Sequence, residues 1–264
     1  MLFTGISRDY WWQTVKKGRI FEALVRLKQQ FIKNLDPRGM ADYDGKSFTR
    51  HRRLDMPRLV LLILRNNPMS LQVRLDDFFA GIGRREETVS KQAFSKARGK
   101  LDPEVVRESF KLTASTLAGC DDLLLWKGKY RLCAVDGSCV ALENEPALVE
   151  HFGCSGSKKD SATALASLCY DPLNNIVYDA GLYPYAASER DAAKAHFAAV
   201  RALPRPDGAE DLFIHDRGYP SAELFAWYID AGASFLMRVR KKFSTEFDRV
   251  AKKEKLGFTY GGKA

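Results

Sequence analysis

The chain has 264 residues, 45 % of them hydrophobic and 11 % aromatic, which suits one large domain or two smaller ones and excludes low-complexity disorder and coiled coil. Its most apolar run, Leu59–Leu64, lies between two arginines and is far shorter than the roughly 20 residues that cross a bilayer. The formal net charge of +9 is uneven, because residues 1–100 contain 21 basic and 10 acidic side chains, whereas residues 101–264 contain 21 and 23.

Residues 1–125 hold the basic surplus and are predicted to form a helical domain. Apolar side chains recur at helical spacing, Asp55, Ser70 and Ser90 suit N-caps, and clusters of Pro and Gly separate the segments. The predicted helices run approximately over residues 21–31, 55–65, 70–79, 90–101 and 102–117. Because a basic surface attracts polyanions, we expect this domain to bind DNA.

The predicted helix over residues 90–101 is the strongest candidate for DNA contact in this domain. Lys91, Lys96 and Arg98 lie largely off its apolar stripe. The helix also follows a short capped helix and a glycine turn, as in a helix-turn-helix arrangement. A solvated basic face explains the same pattern, and the sequence does not decide between the two interpretations.

The hydrophobic pattern changes near residue 129, from helical spacing to apolar strands. Five strands are predicted, and the last three are separated by two helices over residues 188–203 and 222–232. The strands run approximately over residues 130–142, 163–170, 176–184, 211–216 and 233–240. The order β-β-β-α-β-α-β predicts three antiparallel strands and then right-handed crossovers that add parallel strands. We therefore expect an α/β fold over residues 126–242, a ribonuclease-H-like mixed five-stranded sheet with flanking helices.

Two aspartates lie on the two strands that this fold places side by side. Asp136 lies inside the first predicted strand, in AVDGS, and Asp216 ends the fourth, in FIHDRGY. Carboxylates crowded at one end of a sheet are stabilised by a divalent cation, and their hard oxygens suit Mg²⁺ or Mn²⁺. Asp136 and Asp216 are therefore the candidate metal ligands and catalytic residues, although turn chemistry alone also explains an Asp-Gly pair.

Four stretches of the sequence resemble DDE-type insertion-sequence transposases of the insertion-sequence-four family. They are VSKQAFSKARGKL, YRLCAVDGSCVALENEPALVEHFG, YDPLNNIVYDAGLYPYAASERDAA and FIHDRGYPSAELFAWYIDAGASFLMRVR, and they span roughly residues 50 to 242 in the family's order. The resemblance implies a DNA transposase that cleaves and joins phosphodiester bonds with a metal ion. It also implies that Asp136 and Asp216 are the first and second acidic residues of the DDE triad.

The third acidic residue of that family has no counterpart in this sequence. In the family it is a Glu on a later helix, in the pattern Tyr-x₂-Arg-x₃-Glu-x₆-Lys, which is absent here. Residues 243–264 resemble the start of the family's mostly β insertion. We therefore expect a C-terminally truncated transposase that cleaves DNA negligibly by itself. Glu223 lies in the first turn of a predicted helix, where the helix dipole is sufficient to explain it.

The resemblance also implies partners. These are double-stranded DNA, as transposon terminal inverted repeats and target DNA, and a second copy of the chain in a homodimeric synaptic complex. The family's insertion region helps to hold DNA, so Lys241 and Lys242 are expected to contact phosphate, as is Arg217. The absence of a signal-peptide pattern and of CxxC pairs favours the cytoplasm, in association with the nucleoid.

Two alternatives stay open at this point. The first is a DNA-binding remnant of a transposase that has no catalytic activity. The second is a ribonuclease-H-like nuclease, which requires further carboxylates within the 264 residues.

Overall fold

The computed structural model describes Phe48, residues 52–65, 68–155 and 161–240, and Phe243. The predicted helix over residues 21–31 lies outside the described residues, as do Lys241 and Lys242. Contacts divide the chain into two units, with a division between Thr113 and Ala114. The domain boundaries proposed from the sequence remain predictions.

The unit that precedes this division is helical throughout its described residues. The helices are α1 Met56–Leu64, α2 Leu71–Gly81, a 3₁₀ turn Arg85–Glu87, α3 Lys91–Arg98 and α4 Pro103–Ala118, whose end crosses into the second unit. Asp55 caps α1 by accepting from the Arg58 N–H, and Ser90 caps α3 by accepting from the Ala93 N–H. The core of the unit is apolar and contains Leu59, Leu62, Leu75, Phe79 and Phe94.

The second unit contains a mixed five-stranded sheet in the order β3-β2-β1-β4-β5. The strands are β1 Tyr130–Ala141, β2 Thr163–Asp171, β3 Ile176–Pro184, β4 Glu210–His215 and β5 Ser234–Met237. The first three strands pair antiparallel, whereas β1 with β4 and β4 with β5 pair parallel. These pairings confirm the predicted α/β fold with its mixed sheet.

Three helices accompany the sheet: α5 Pro146–Phe152, α6 Glu189–Arg201 and α7 Ala222–Asp230. Helices α6 and α7 meet on one face of the sheet, where the Phe197 ring lies 5.0 Å from Phe213 of β4 and 5.8 Å from Tyr228 of α7. The sequence did not predict α5, a helix of seven residues that begins at a proline.

Strand β5 is shorter than predicted, because its partner strand ends early. It pairs residue by residue from Leu212↔Ser234 to His215↔Met237. Beyond His215 the chain leaves the sheet, so the predicted extension of β5 to residue 240 has no ladder to join.

A buried ion pair joins the two central strands at the ends opposite to Asp136 and Asp216. Arg131 Nε donates to Asp211 Oδ1 at 2.7 Å, and these two residues are register partners in the β1–β4 ladder. Arg205 Nη1 donates to the second carboxylate oxygen of Asp211 at 3.1 Å. The Arg131 and Asp211 side chains are 0 % and 2 % exposed, so each charge depends on its partners.

Candidate active site

Asp136 lies in the middle of β1, and Asp216 directly follows the last residue of β4. The last pair of the parallel β1–β4 ladder is Val135↔His215, and Asp136 and Asp216 are the residues that follow this pair in the chain. Register partners in a parallel pair place their side chains on the same face of the sheet. Both aspartates are exposed, and Leu168, the register partner of Asp136 on β2, is 40 % exposed. The pair is therefore open to solvent.

Each carboxylate is oriented by a backbone amide of a following glycine. The Gly137 N–H donates to Asp136 Oδ1 at 2.9 Å, and the Gly218 N–H donates to Asp216 Oδ1 at 2.7 Å. A Cβ at Gly218 would lie only 3.0 Å from Asp216 Oδ1. A side chain at this position would therefore displace the Asp216 carboxylate by a few tenths of an ångström.

A buried tyrosine hydroxyl belongs to the segment that follows Asp216. Tyr219 is 1 % exposed, and its hydroxyl has no hydrogen-bond partner among the described residues. Burial raises the pKa of Tyr219, and the charges of Glu189, Asp136 and Asp216 raise it further. The hydroxyl is therefore protonated at neutral pH.

Sequence reasoning missed Glu189, a third acidic residue near this edge. Glu189 begins α6, and its Cγ and Cδ would lie 3.6 and 3.7 Å from a Cβ at Gly137. Arg190 ties the same helical turn to the segment after Asp216, because its Nε donates to the Tyr219 carbonyl at 2.9 Å. The sequence signal was weak, since an acidic first turn is also what the helix dipole favours.

The donor chemistry of this edge fits a divalent cation. Two adjacent exposed carboxylates supply the hard oxygens that such a cation prefers. Among the described residues, no three His, Cys, Asp or Glu side chains converge closely enough to form a complete metal-binding group. Asp136 and Asp216 are thus the residues that would hold a metal ion, as part of a shell completed by other oxygen ligands.

Comparison with known families agrees with this geometry. Residues 127–261, just over half of the chain, match the family described as the transposase DDE domain. The chain belongs to this family. No curated protein matches the sequence.

The transposase DDE domain contains all five strands of the sheet and both aspartates of the candidate site. It also contains Arg217, which the structure places in the exposed turn directly after Asp216. In the described part of the chain, no helix is long and apolar enough to cross a membrane.

His215 precedes Asp216 and lies inside the domain rather than at its edge. It is 3 % exposed, and its Nε2 lies 2.7 Å from the Tyr228 hydroxyl of α7. Burial lowers the pKa of His215 to about 4, so the imidazole is neutral at pH 7. Successive side chains alternate between the two faces of a strand, so His215 points to the face opposite to that of Asp216 and makes structural contacts there.

The basic side chains of α3 lie outside the matched domain. Lys91, Lys96 and Arg98 are all exposed. Lys96 also lines a cavity of about 880 Å³ together with Arg52, Arg53 and Lys100, residues that were not selected from the sequence. The cavity includes one acidic side chain, that of Asp55, which caps α1. The run RHRR, residues 50–53, is the signal for Arg52 and Arg53 in the sequence.

Proposed function

We propose that this chain is an insertion-sequence transposase of the insertion-sequence-four type, which binds transposon ends and cleaves and joins phosphodiester bonds in cut-and-paste transposition. The observation that carries the proposal is the adjacency of Asp136 and Asp216 where the parallel ladder between β1 and β4 ends, inside a transposase DDE domain. The open edge beside them is accessible to a large substrate such as duplex DNA.

Transposases of this family generally use divalent metal ions, and in this proposal Asp136 and Asp216 hold the ion. Mg²⁺ or Mn²⁺ would polarise the phosphodiester and lower the pKa of an attacking hydroxyl or water. Arg217 is exposed beside Asp216 and is placed to contact a phosphate.

The proposed contacts to DNA extend beyond the aspartates. Lys91, Lys96 and Arg98 present exposed charge, and the cavity basic residues Arg52 and Arg53 enlarge that surface. Lys241 and Lys242 remain proposed phosphate contacts from the sequence. A homodimer on paired transposon ends and an association with the nucleoid belong to the same proposal.

The test is metal-dependent cleavage of duplex DNA by the full chain and by Asp136→Asn and Asp216→Asn. Cleavage by the wild-type chain is expected to be weak, because the sequence lacks the family's third acidic residue. The residual nicking of a supercoiled plasmid in Mn²⁺ should be lost in each Asn variant, because the carboxylates act on the metal. Retention of duplex DNA should change by less than about twofold, since contacts to the phosphate backbone dominate affinity. Asp230→Asn, an exposed aspartate at the end of α7, is the matched control.

Two outcomes would replace this proposal. A wild-type chain that retains DNA but does not nick it in Mn²⁺ would be a DNA-binding remnant. Glu189 supports a second candidate, because a third carboxylate near the pair suits a ribonuclease-H-like nuclease. Preferential cleavage of an RNA–DNA hybrid over duplex DNA would favour that activity.

A further inference from the structure

A buried chain of polar groups crosses from α6 through the sheet to Asp136. His196 Nδ1 lies 2.6 Å from Asp179 Oδ2 of β3, and its Nε2 lies 2.9 Å from Ser167 Oγ of β2. Ser167 in turn donates to the backbone carbonyl of Asp136 at 3.3 Å. His196 is 0 % and Ser167 2 % exposed, whereas the Asp179 side chain is 28 % exposed.

The residue types match a hydrolase triad, but their burial does not suit that role. A serine nucleophile must meet its substrate, and Ser167 is enclosed between the strand and α6. Its hydroxyl is also committed to the Asp136 carbonyl. The network therefore acts within the protein rather than on a substrate.

The network ends at the peptide unit that orients the Asp136 carboxylate. Ser167 binds the C=O of the Asp136–Gly137 peptide, and the N–H of that same peptide donates to Asp136 Oδ1 at 2.9 Å. A peptide unit is planar, so fixing its C=O also fixes the direction of its N–H. The hydroxyl of Ser167 thus controls where the carboxylate of Asp136 is held.

The proton inventory shows why the whole chain is needed. The Ser167 hydroxyl has one proton, and two acceptors, the Asp136 carbonyl and His196 Nε2, lie within its reach. When the proton is donated to Asp136, Nε2 must carry its own proton and donate to Ser167 Oγ. Asp179 Oδ2, 2.6 Å from Nδ1, holds the imidazole ring from its other side.

We propose that Ser167, His196 and Asp179 are positioning residues that hold the Asp136 carboxylate in its metal-binding orientation. The inference rests on the proposed function only in taking Asp136 as a metal ligand. Removing a group that orients a metal ligand in this way commonly lowers the metal affinity by ~10–100-fold.

The decisive variant is Ser167→Ala in the full chain, because it deletes one hydroxyl and little volume. Amide exchange at Gly137, measured by NMR, should accelerate by roughly tenfold, since the peptide that carries this amide loses its anchor. Mn²⁺ affinity, measured by electron paramagnetic resonance, should fall by roughly tenfold. Ser167→Thr keeps the hydroxyl and should restore both quantities.

Tyr178→Phe is the matched control. The Tyr178 hydroxyl is buried in the same sheet and donates to Asp171 Oδ2 at 2.8 Å, with no link to Asp136. This variant should lower Tm by a few degrees, as the loss of one buried hydrogen bond does in Ser167→Ala. It should leave both the Gly137 exchange and the Mn²⁺ affinity within about twofold of wild type.

The outcomes separate the inference from the proposed function. Unchanged Gly137 exchange in Ser167→Ala, or an equal acceleration in Tyr178→Phe, would overturn the positioning role. A wild-type chain that binds no Mn²⁺ would refute the metal site and with it this role, whatever the exchange data show. Wild-type Mn²⁺ binding that Ser167→Ala leaves intact would refute the positioning role alone.

Discussion

At the scale of single residues, Glu189 has surroundings in the folded chain that its position on its own helix does not predict. On its own helix it is an acidic first-turn residue, like Glu223 on α7. Glu223 forms an exposed ion pair with Lys194 at 3.0 Å, whereas Glu189 lies against Gly137 beside Asp136. Similar local positions therefore have different surroundings.

We expect Glu189→Gln to weaken Mn²⁺ binding by several-fold, since it removes a negative charge near the proposed metal ligands. Its Tm should change little. Calorimetric titration of the full chain with Mn²⁺ measures this effect. Glu223→Gln is the matched control and should bind Mn²⁺ as wild type does. Equal affinities in the two variants would contradict a role for Glu189.

His215 carries a pH dependence of stability. Its pKa is about 4 in the folded chain, against 6.5 for an unperturbed histidine, because burial disfavours the charged ring. Since the folded pKa is the lower one, this stabilisation is present above pH 6.5 and is lost as the pH falls towards 4. We expect a loss of roughly 3 kcal/mol in the free energy of unfolding over that range.

Urea denaturation at pH 7 and pH 4 measures this loss in wild type and in His215→Asn. The variant lacks the titrating ring, so its free energy of unfolding should decrease by roughly 3 kcal/mol less between the two pH values. Identical decreases in the two proteins would show that His215 is not the group responsible.

At the scale of elements, β1 and β4 are held together by different chemistry at their two ends. Arg131 and Asp211 form a buried ion pair at the beginning of the strands, and Asp136 and Asp216 place two negative charges side by side at the other end. The attraction between Arg131 and Asp211 supports the β1–β4 ladder, and this ladder brings the like charges of Asp136 and Asp216 together.

Asp211→Asn should lower the free energy of unfolding by roughly 3–5 kcal/mol, because it leaves the Arg131 charge buried with a weakened partner. Thermal unfolding measures the effect. Asp230→Asn, an exposed aspartate, should change stability by less than about 0.5 kcal/mol. A loss in Asp211→Asn no larger than that of the control would refute the structural role of the pair.

At the scale of the whole molecule, the charge of the chain is divided between its parts. The basic surplus lies in residues 1–100, whereas the acidic pair lies in the matched domain. In the proposed function the basic region would attract the DNA phosphates, and the acidic pair would attract the cation that acts on them. The two kinds of charge therefore suit successive steps of one reaction.

Binding to duplex DNA should weaken steeply with salt, because Lys and Arg displace condensed counterions. Replacing Lys91, Lys96 and Arg98 together by Gln should reduce the slope of log K against log salt by about 3, if each contacts one phosphate. Fluorescence anisotropy across a salt series measures the slope. If the α3 substitutions leave the slope unchanged, the same measurement is made with Arg52, Arg53 and Lys100 replaced. A reduced slope in that variant locates the DNA contact in the cavity.

The sequence by itself determined the five strands and most of the helices in their order, α5 excepted, because helical and strand periodicity, N-cap residues and turn residues are local signals. It also determined that Asp136 and Asp216 would be neighbours, since a right-handed crossover places the first and fourth strands side by side. Only the tertiary structure decided the surroundings of that pair. Glu189 approaches Gly137, and Ser167 reaches Asp136, across many residues of chain, so neither contact leaves a periodic trace. The length of β5 was likewise decided by where β4 ends, because a strand extends only as far as a neighbour offers it hydrogen bonds.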